Sequence, residues 1–170
     1  TLNLIEINTS IQKRVSNYLN NGGIIFFDVI GYGRENFNIN DIKYKNIQNF
    51  LSQIDAINLS QIPINHTLTK SFYLLKKFPG KWDNRVLLIE NSNLEYKDGV
   101  NSVILGFNDW AKAWSLDKNS VPLYPVVPGG ERQRELSYRF GINVAMYSLT
   151  GNYKSDQIHS KSILDRLSKN

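Results

Sequence analysis

The run Ile24-Ile25-Phe26-Phe27 constrains the fold of this chain more than any other feature. It places four apolar residues in succession, and it follows a segment with the apolar spacing of a helix. A strand of this kind is typical of sheets that are covered on both faces, because neither face carries polar side chains to water. The sequence therefore predicts an α/β fold, with Asp28 at the end of its first strand.

Helical patterns lie on both sides of this strand. Thr9 or Ser10 can cap a helix that Gly22-Gly23 would end. Apolar positions between residues 42 and 54 mark a second amphipathic helix. Together these segments predict one helix before the strand and a βα unit after it.

The middle of the chain predicts two more strands. Val86–Ile89 and Ser102–Gly106 are apolar and are separated by a polar turn, so they can pair as a hairpin. The segment Ile62–Phe78 mixes extended and helical signals, and His66-Thr67 can open a short helix within it. The second of the two strands runs directly into Asn108-Asp109.

The C-terminal third of the chain is predicted to be helical. Asp109 can open a short helix that carries two tryptophans four residues apart. A long helix is predicted over about residues 131–149, with Gly151 as its end, and a last helix over about 155–167. We expect residues 1–170 to form a single α/β domain.

Two residues of the long helix predict packing contacts. Asn143 lies in its apolar half, so its amide must find buried partners, and a structural bridge is the expected role. Gly141 costs about 1 kcal/mol relative to alanine inside a helix, which indicates close packing against another element.

Charge and cysteine content exclude several classes of function. The net charge is +5, but Lys and Arg are scattered and the longest basic run is Lys76-Lys77, so we expect no nucleic-acid partner. The absence of cysteine removes disulfides, thiolate metal sites and cysteine nucleophiles.

The sequence contains no phosphate-binding or dinucleotide motif, so we expect no cofactor. Two histidines without any cysteine predict that no metal is bound. No apolar run approaches the roughly 20 residues that cross a bilayer.

Polar residues at two strand ends form the first candidate site. Asp28 and Asn108-Asp109 follow strands of a predicted α/β sheet, where ligands collect outside the carboxyl ends. In the functional interpretation they converge with Arg34 and His66. In the structural interpretation Asp109 caps its helix, Asp28 bonds loop amides and His66 is a turn residue. The sequence leaves both interpretations open.

The second candidate site is the start of the long helix. Gly129 and Gly130 leave backbone amides free there, and Arg132 and Arg134 can add guanidinium groups for a phosphate or carboxylate. The alternative is ordinary capping, since Glu131 already supplies the negative charge that a helix start favours. Both roles remain open at this point.

Several blocks of the sequence resemble one bacterial family, the domain of unknown function 4159. The matching blocks run in the same order along the chain and cover most of it from about residue 10: residues 21–28, 66–75, 78–80, 106–111, 125–135, 138–143 and 147–154. The resemblance implies a three-layer, flavodoxin-like α/β fold related to class I glutamine amidotransferases, in which another strand precedes the first helix. It also implies a soluble domain at the C-terminus of a bacterial membrane-anchored protein with an aerotolerance-regulator-type N-terminal region.

The missing cysteine separates this chain from the catalytic amidotransferases to which the resemblance implies a structural relation. Glutamine hydrolysis in the amidotransferases needs a thiolate, which this sequence does not contain. The first hypothesis is therefore a non-catalytic domain that binds a small anionic ligand or a protein partner. The alternative is a hydrolase or transferase acting on an anionic small molecule, with His66 as base beside Asp28 or Asp109.

Overall fold

Helices cover both faces of an open four-stranded sheet. The structure, a computed structural model, describes residues 8–30, 42–54, 58–83, 86–90 and 100–167. The elements in chain order are α1 (Thr9–Asn20), β1 (Ile25–Asp28), α2 (Ile42–Gln53), β2 (Leu59–Gln61), a 3-10 helix (Thr67–Lys70), β3 (Leu87–Glu90), β4 (Val103–Gly106), α3 (Trp110–Trp114) and α4 (Gly130–Leu167). The predicted α/β class is confirmed.

The sheet is mixed, with the strand order β1-β4-β3-β2. β1 runs parallel to β4, and Asp28 lies opposite Gly106. β3 is antiparallel to both β4 and β2, which confirms the predicted hairpin and adds a strand that was not predicted. The carboxyl ends of β1, β4 and β2 therefore share one edge of the sheet with the amino end of β3. We call this the carboxyl edge, and the opposite one the amino edge.

Two apolar cores lie on opposite faces of the sheet. Val103 and Leu105 of β4 pack with α1 and α2 in the first core. Ile104, between them, packs with α3, α4 and the 3-10 helix in the second. Successive side chains of a strand point to opposite faces, so a strand between two cores must be apolar throughout. This is the physical reason for the uninterrupted apolar runs in the sequence.

The first helix begins one residue earlier than its pattern predicted. Asn8 is the N-cap of α1, and its Oδ1 accepts a hydrogen bond of 2.9 Å from the Ile11 amide. Gly22 adopts a φ of 85° just after the helix, a conformation in which glycine avoids the strain of a Cβ. The prediction that Gly22-Gly23 ends this helix is confirmed, whereas the predicted cap at Thr9 or Ser10 is wrong.

Helix α4 continues through Gly151 to Leu167, so the prediction of two separate helices is wrong. Glycine inside a helix costs only about 1 kcal/mol, which does not by itself end the helix.

Gly141 packs closely against another element, as predicted. A Cβ at this position would lie 3.1 Å from Cζ2 of Trp114.

Asn143 bridges α4 to the segment that follows the 3-10 helix, as predicted. The residue is fully buried. Its Nδ2 donates to the carbonyls of Leu68 and Tyr73 at 2.9 and 2.8 Å. Its Oδ1 accepts from the amides of Phe72 and Tyr73 at 3.3 and 2.7 Å. One side chain thereby bonds four backbone groups.

Candidate ligand-binding site

A cavity of about 360 Å³ lies at the carboxyl edge. Its walls come from the extended segment after β2, the loop over residues 75–78, the start of β3, and Asn108, which follows β4. Among the described residues, the uncharged polar side chains of Gln61 and Thr69 line it, and so do seven apolar ones: Ile62, Pro63, Ile64, Leu75, Phe78, Val86 and Leu87. This is the position at which α/β sheets collect ligands.

Asn108 supplies a buried amide to this cavity. The residue is 1% exposed, and its Nδ2 donates to the Phe78 carbonyl at 2.7 Å. That bond fixes the orientation of the amide, because the reversed orientation would place two oxygens against each other. Its Oδ1 is buried and accepts no hydrogen bond from the described residues. The cavity wall therefore carries an acceptor without a donor.

The backbone of Asn108 is held on its other side by the segment that precedes β3. The Trp82 amide donates to the Asn108 carbonyl at 3.1 Å. Gly80 passes so close that a Cβ there would collide with the same carbonyl oxygen. Any side chain at Gly80 would displace Asn108, so this glycine is required for the close approach.

Charged side chains also line the cavity. Lys76, Lys77 and Asp83 contribute two positive charges and one negative charge. Lys77 Nζ lies 3.8 Å from Asp83 Oδ2, and the Lys77 side chain is 64% exposed. Such a long and exposed ion pair is weak. The charged lining is therefore positive on balance.

Asp28 lies at the same edge, at the end of β1. Its Oδ2 accepts a hydrogen bond of 2.8 Å from the Ala111 amide in the first turn of α3. Burial raises the pKa of Asp28, and the nearby negative charge of Asp109 raises it further, against the opposing effect of the α3 amides. Its Oδ1 is buried without a partner among the described residues. The structural interpretation predicted bonds from Asp28 to loop amides, whereas its carboxylate bonds an amide of helix α3.

Asp109 occupies the tight turn between β4 and α3, with a φ of 56°. It is 2% exposed, and its Oδ2 accepts from Lys112 Nζ at 2.8 Å. This hydrogen bond is the main reason that the pKa of Lys112 is raised. Asp109 is the N-cap residue of α3, as predicted. Its side chain makes no capping hydrogen bond, because the carboxylate of Asp28 bonds the amide in the first turn instead.

His66 lies near the other edge of the sheet. Its Nδ1 accepts from the Leu68 amide at 3.1 Å, so it caps the 3-10 helix. Its Nε2 therefore carries the proton and donates to Asn101 Oδ1 at 2.7 Å. Burial lowers the pKa of this imidazole. Asn101 precedes β4 and Asp109 follows it, and β4 alone spans about 10 Å. The structure does not bring His66 together with Asp28 and Asp109.

Asn101 and His66 belong to a larger set of buried polar groups, which we call the amino-edge network: His66, Glu90, Asn101 and Tyr147. The Asn101 amide donates to Tyr147 Oη at 2.8 Å. The side-chain Nδ2 of Asn101 donates to the Glu90 carbonyl, and Glu90 Oε2 accepts from the Ser102 amide at 3.3 Å. Burial raises the pKa of Tyr147 to about 12.

At the candidate anion site at the start of α4, the guanidinium of Arg134 forms hydrogen bonds within the protein. This residue is 4% exposed. Its Nη1 and Nη2 donate to the carbonyls of Ala113 and Tyr124, both at 2.7 Å, and its Nε donates to Glu131 at 3.2 Å. The guanidinium joins α3 and the extended segment to α4. Arg132 is exposed on the first turn of the helix.

Gln133 has a structural role that the sequence did not reveal. The Gly129 amide donates to its Oε1 at 2.8 Å. Its Nε2 donates to the carbonyls of Gly80 and Val127 at 2.8 and 3.0 Å. One of the predicted free amides is therefore already bonded, while Gly130 is exposed with a φ of 54°.

Arg34 lies outside the described residues. Within the described part of the chain, no three His, Asp or Glu side chains lie close enough together to hold a metal ion. The same part of the chain contains no helix with the length and hydropathy that a membrane span requires.

Of the candidate residues from the sequence, three lie together at the carboxyl edge: Asp28, Asn108 and Asp109.

Comparison with family models identifies the relationship of this chain. A model described as a domain of unknown function (DUF4159) matches residues 3–149. The chain belongs to this family. The DUF4159 match includes the carboxyl edge, the amino-edge network and the first half of α4. A comparison with curated proteins gives no match.

Proposed function

We propose that this DUF4159 chain is a non-catalytic domain that binds a small molecule in the carboxyl-edge cavity. The observation that carries the proposal is the amide of Asn108, a cavity-lining residue whose Oδ1 is buried without a hydrogen-bond partner among the described residues. Buried polar groups without a partner cost about 1–3 kcal/mol. A ligand that donates a hydrogen bond to this oxygen would remove that cost.

The polar groups nearby favour binding over catalysis. A turn between a strand and a helix is where many α/β enzymes hold a nucleophile against backbone amides. Here the Asp28 carboxylate already accepts from the Ala111 amide, and Asp109 is bonded to Lys112. The alternative hydrolase or transferase requires His66 as a base, but both of its ring nitrogens are bonded elsewhere.

We further propose that the scaffold is a flavodoxin-like, amidotransferase-like one that lacks the thiolate nucleophile. The parallel pairing of β1 with β4 and the helices on both faces support this relation. The resemblance also supports placement at the C-terminus of a membrane-anchored bacterial protein. In this proposal the domain itself is soluble, and it contacts the membrane only through other parts of the parent.

A fragment screen by saturation-transfer NMR tests the binding function. We expect hits with the wild-type domain that disappear in Ile64→Trp, because this exposed side chain lines the cavity and an indole there would fill it. Leu74→Trp is the matched control, since Leu74 has the same exposure of 79% and does not line the cavity. A set of hits that binds Ile64→Trp and wild type equally would overturn the proposal.

A further inference from the structure

We infer that the carboxyl-edge cavity takes a small organic anion with an apolar body and an N–H or O–H donor. This inference rests on the proposed binding function and names the chemistry of its ligand. Three observations carry it: the unpartnered oxygen of Asn108, the apolar walls, and the positive balance of the charged lining.

The donor follows from the fixed orientation of one amide. Asn108 Nδ2 is bonded to the Phe78 carbonyl, so its Oδ1 cannot exchange places with the nitrogen. Thr69, which also lines the cavity, directs its hydroxyl to the backbone carbonyls of Ile64 and His66 at 3.1 and 2.7 Å. The threonine proton is therefore used internally. A ligand must bring its own donor to Asn108.

The size and the apolar body follow from the cavity itself. Its volume of about 360 Å³ lies at the small end of the range of about 300–1,000 Å³ for ligand sites. Such a volume fits one ring or one branched aliphatic chain. The side chains of Leu75, Val86 and Leu87 form an apolar part of the wall that suits this group.

The negative charge follows from the lysines that line the cavity. Lys76 is exposed, and Lys77 forms a long ion pair of 3.8 Å with Asp83. A carboxylate on the ligand would meet a net positive potential at these side chains, and an ammonium group would be repelled. Because the lysines are exposed, this contribution is small and weakens with salt.

A matched probe series tests each part of this chemistry by NMR titration at low salt. N-acetyl-leucine has the donor, the apolar body and the carboxylate. We expect its N-methyl derivative to bind about tenfold more weakly or worse, because the donor to Asn108 is lost. We expect its methyl ester to bind about two- to fivefold more weakly, because only a surface charge is lost. Leucinamide, a cation, should bind least.

Two protein variants assign the charge effect to one residue. Lys76→Glu should weaken binding of N-acetyl-leucine and leave binding of the methyl ester unchanged. Lys118→Glu makes the same change in net charge at an exposed position that does not line the cavity, and it should leave both affinities unchanged.

The outcomes separate this inference from the function on which it rests. Equal binding of the N-methyl derivative, tighter binding of the ester or of leucinamide, or no binding of any probe would overturn the inference. The binding function would still stand if other fragments lost affinity in Ile64→Trp. It would fail if no compound in either experiment were sensitive to that substitution.

Discussion

Two buried asparagines flank β4, and their surroundings differ. Asn101, before the strand, is 4% exposed and bonds His66, Glu90 and Tyr147. Asn108, after the strand, is 1% exposed and leaves its Oδ1 without a donor. The same residue type thus forms part of a fully bonded network at the amino edge and borders a cavity at the carboxyl edge.

The difference separates a fully hydrogen-bonded edge from the edge at which we propose that a ligand binds. Among the described residues, four buried side-chain atoms lack a hydrogen-bond partner, and three belong to Asp28, Asn108 and Asp109 at the carboxyl edge. No atom of the amino-edge network is among them. Unsatisfied polar groups reduce stability, so a cluster of them at one edge is typical of a functional site.

The largest expected effect comes from Asn101→Leu. The substitution removes the acceptor for His66 Nε2 and the donor to the Glu90 carbonyl, and it leaves both groups buried without that partner. We expect a loss of about 2–4 kcal/mol in the free energy of unfolding, measured by urea denaturation. A loss below about 1 kcal/mol would contradict the structural role of this network.

Asn108→Leu is the matched substitution at the other end of the strand. It removes the bond to the Phe78 carbonyl, but it also removes the unpartnered oxygen. We expect a loss of about 1 kcal/mol in the same urea experiment, smaller than that of Asn101→Leu. A reversed order of the two variants would break the comparison between the two edges.

The pH dependence of stability is a second test of the amino edge. Burial lowers the pKa of His66 below its usual value of 6.5, so the unfolded chain binds a proton before the folded chain does. Stability should therefore fall as the pH falls below about 6.5 and continue to fall until the lowered pKa is passed.

His66→Asn is the control for this pH effect. Asparagine keeps an acceptor for the cap of the 3-10 helix but does not titrate. The second histidine, His159, is present in both proteins, so the difference between them isolates His66. The free energy of unfolding is measured by denaturation at several pH values between 5 and 7. If it changes with pH by the same amount in both proteins, the role given to His66 is contradicted.

The smallest effect is expected for Asp28→Asn. An asparagine oxygen can still accept from the Ala111 amide, while the buried charge is removed. Burial raises the pKa of Asp28 above its usual value, so the charged carboxylate is less favourable in the folded protein than in the unfolded chain. Stability at pH 7 should equal or exceed that of the wild type in thermal denaturation. A clear decrease would show that the carboxylate stabilises the fold.

Much of the fold was predictable because its signals are local. Apolar runs identified β1, β3 and β4, and the prediction that a short helix follows Asp109 was confirmed. Strand β2 has only three residues, Leu59–Gln61, and no apolar run, so its pairing with β3 decides its conformation. Gly151 misled the prediction because α4 tolerates the modest cost of one glycine.

The site was predictable only in part, because side-chain partners depend on long-range packing. The strand-end positions of Asp28 and Asn108-Asp109 followed from the strand pattern. The distance of His66 from them depends on which end of β4 its segment meets, and no local signal contains that information. Arginine is a residue type that binds anions, yet the guanidinium of Arg134 donates to the carbonyls of Ala113 and Tyr124. The roles of Gln133 and Tyr147 were missed for the same reason.

A crystal structure of the domain soaked with N-acetyl-leucine and the fragment hits tests the central claim most directly. We predict density for a bound compound in the carboxyl-edge cavity, with an N–H or O–H group about 2.7–3.2 Å from Asn108 Oδ1. Density for compounds only elsewhere on the surface, with Asn108 Oδ1 bonded to a protein donor or to ordered water alone, would contradict it.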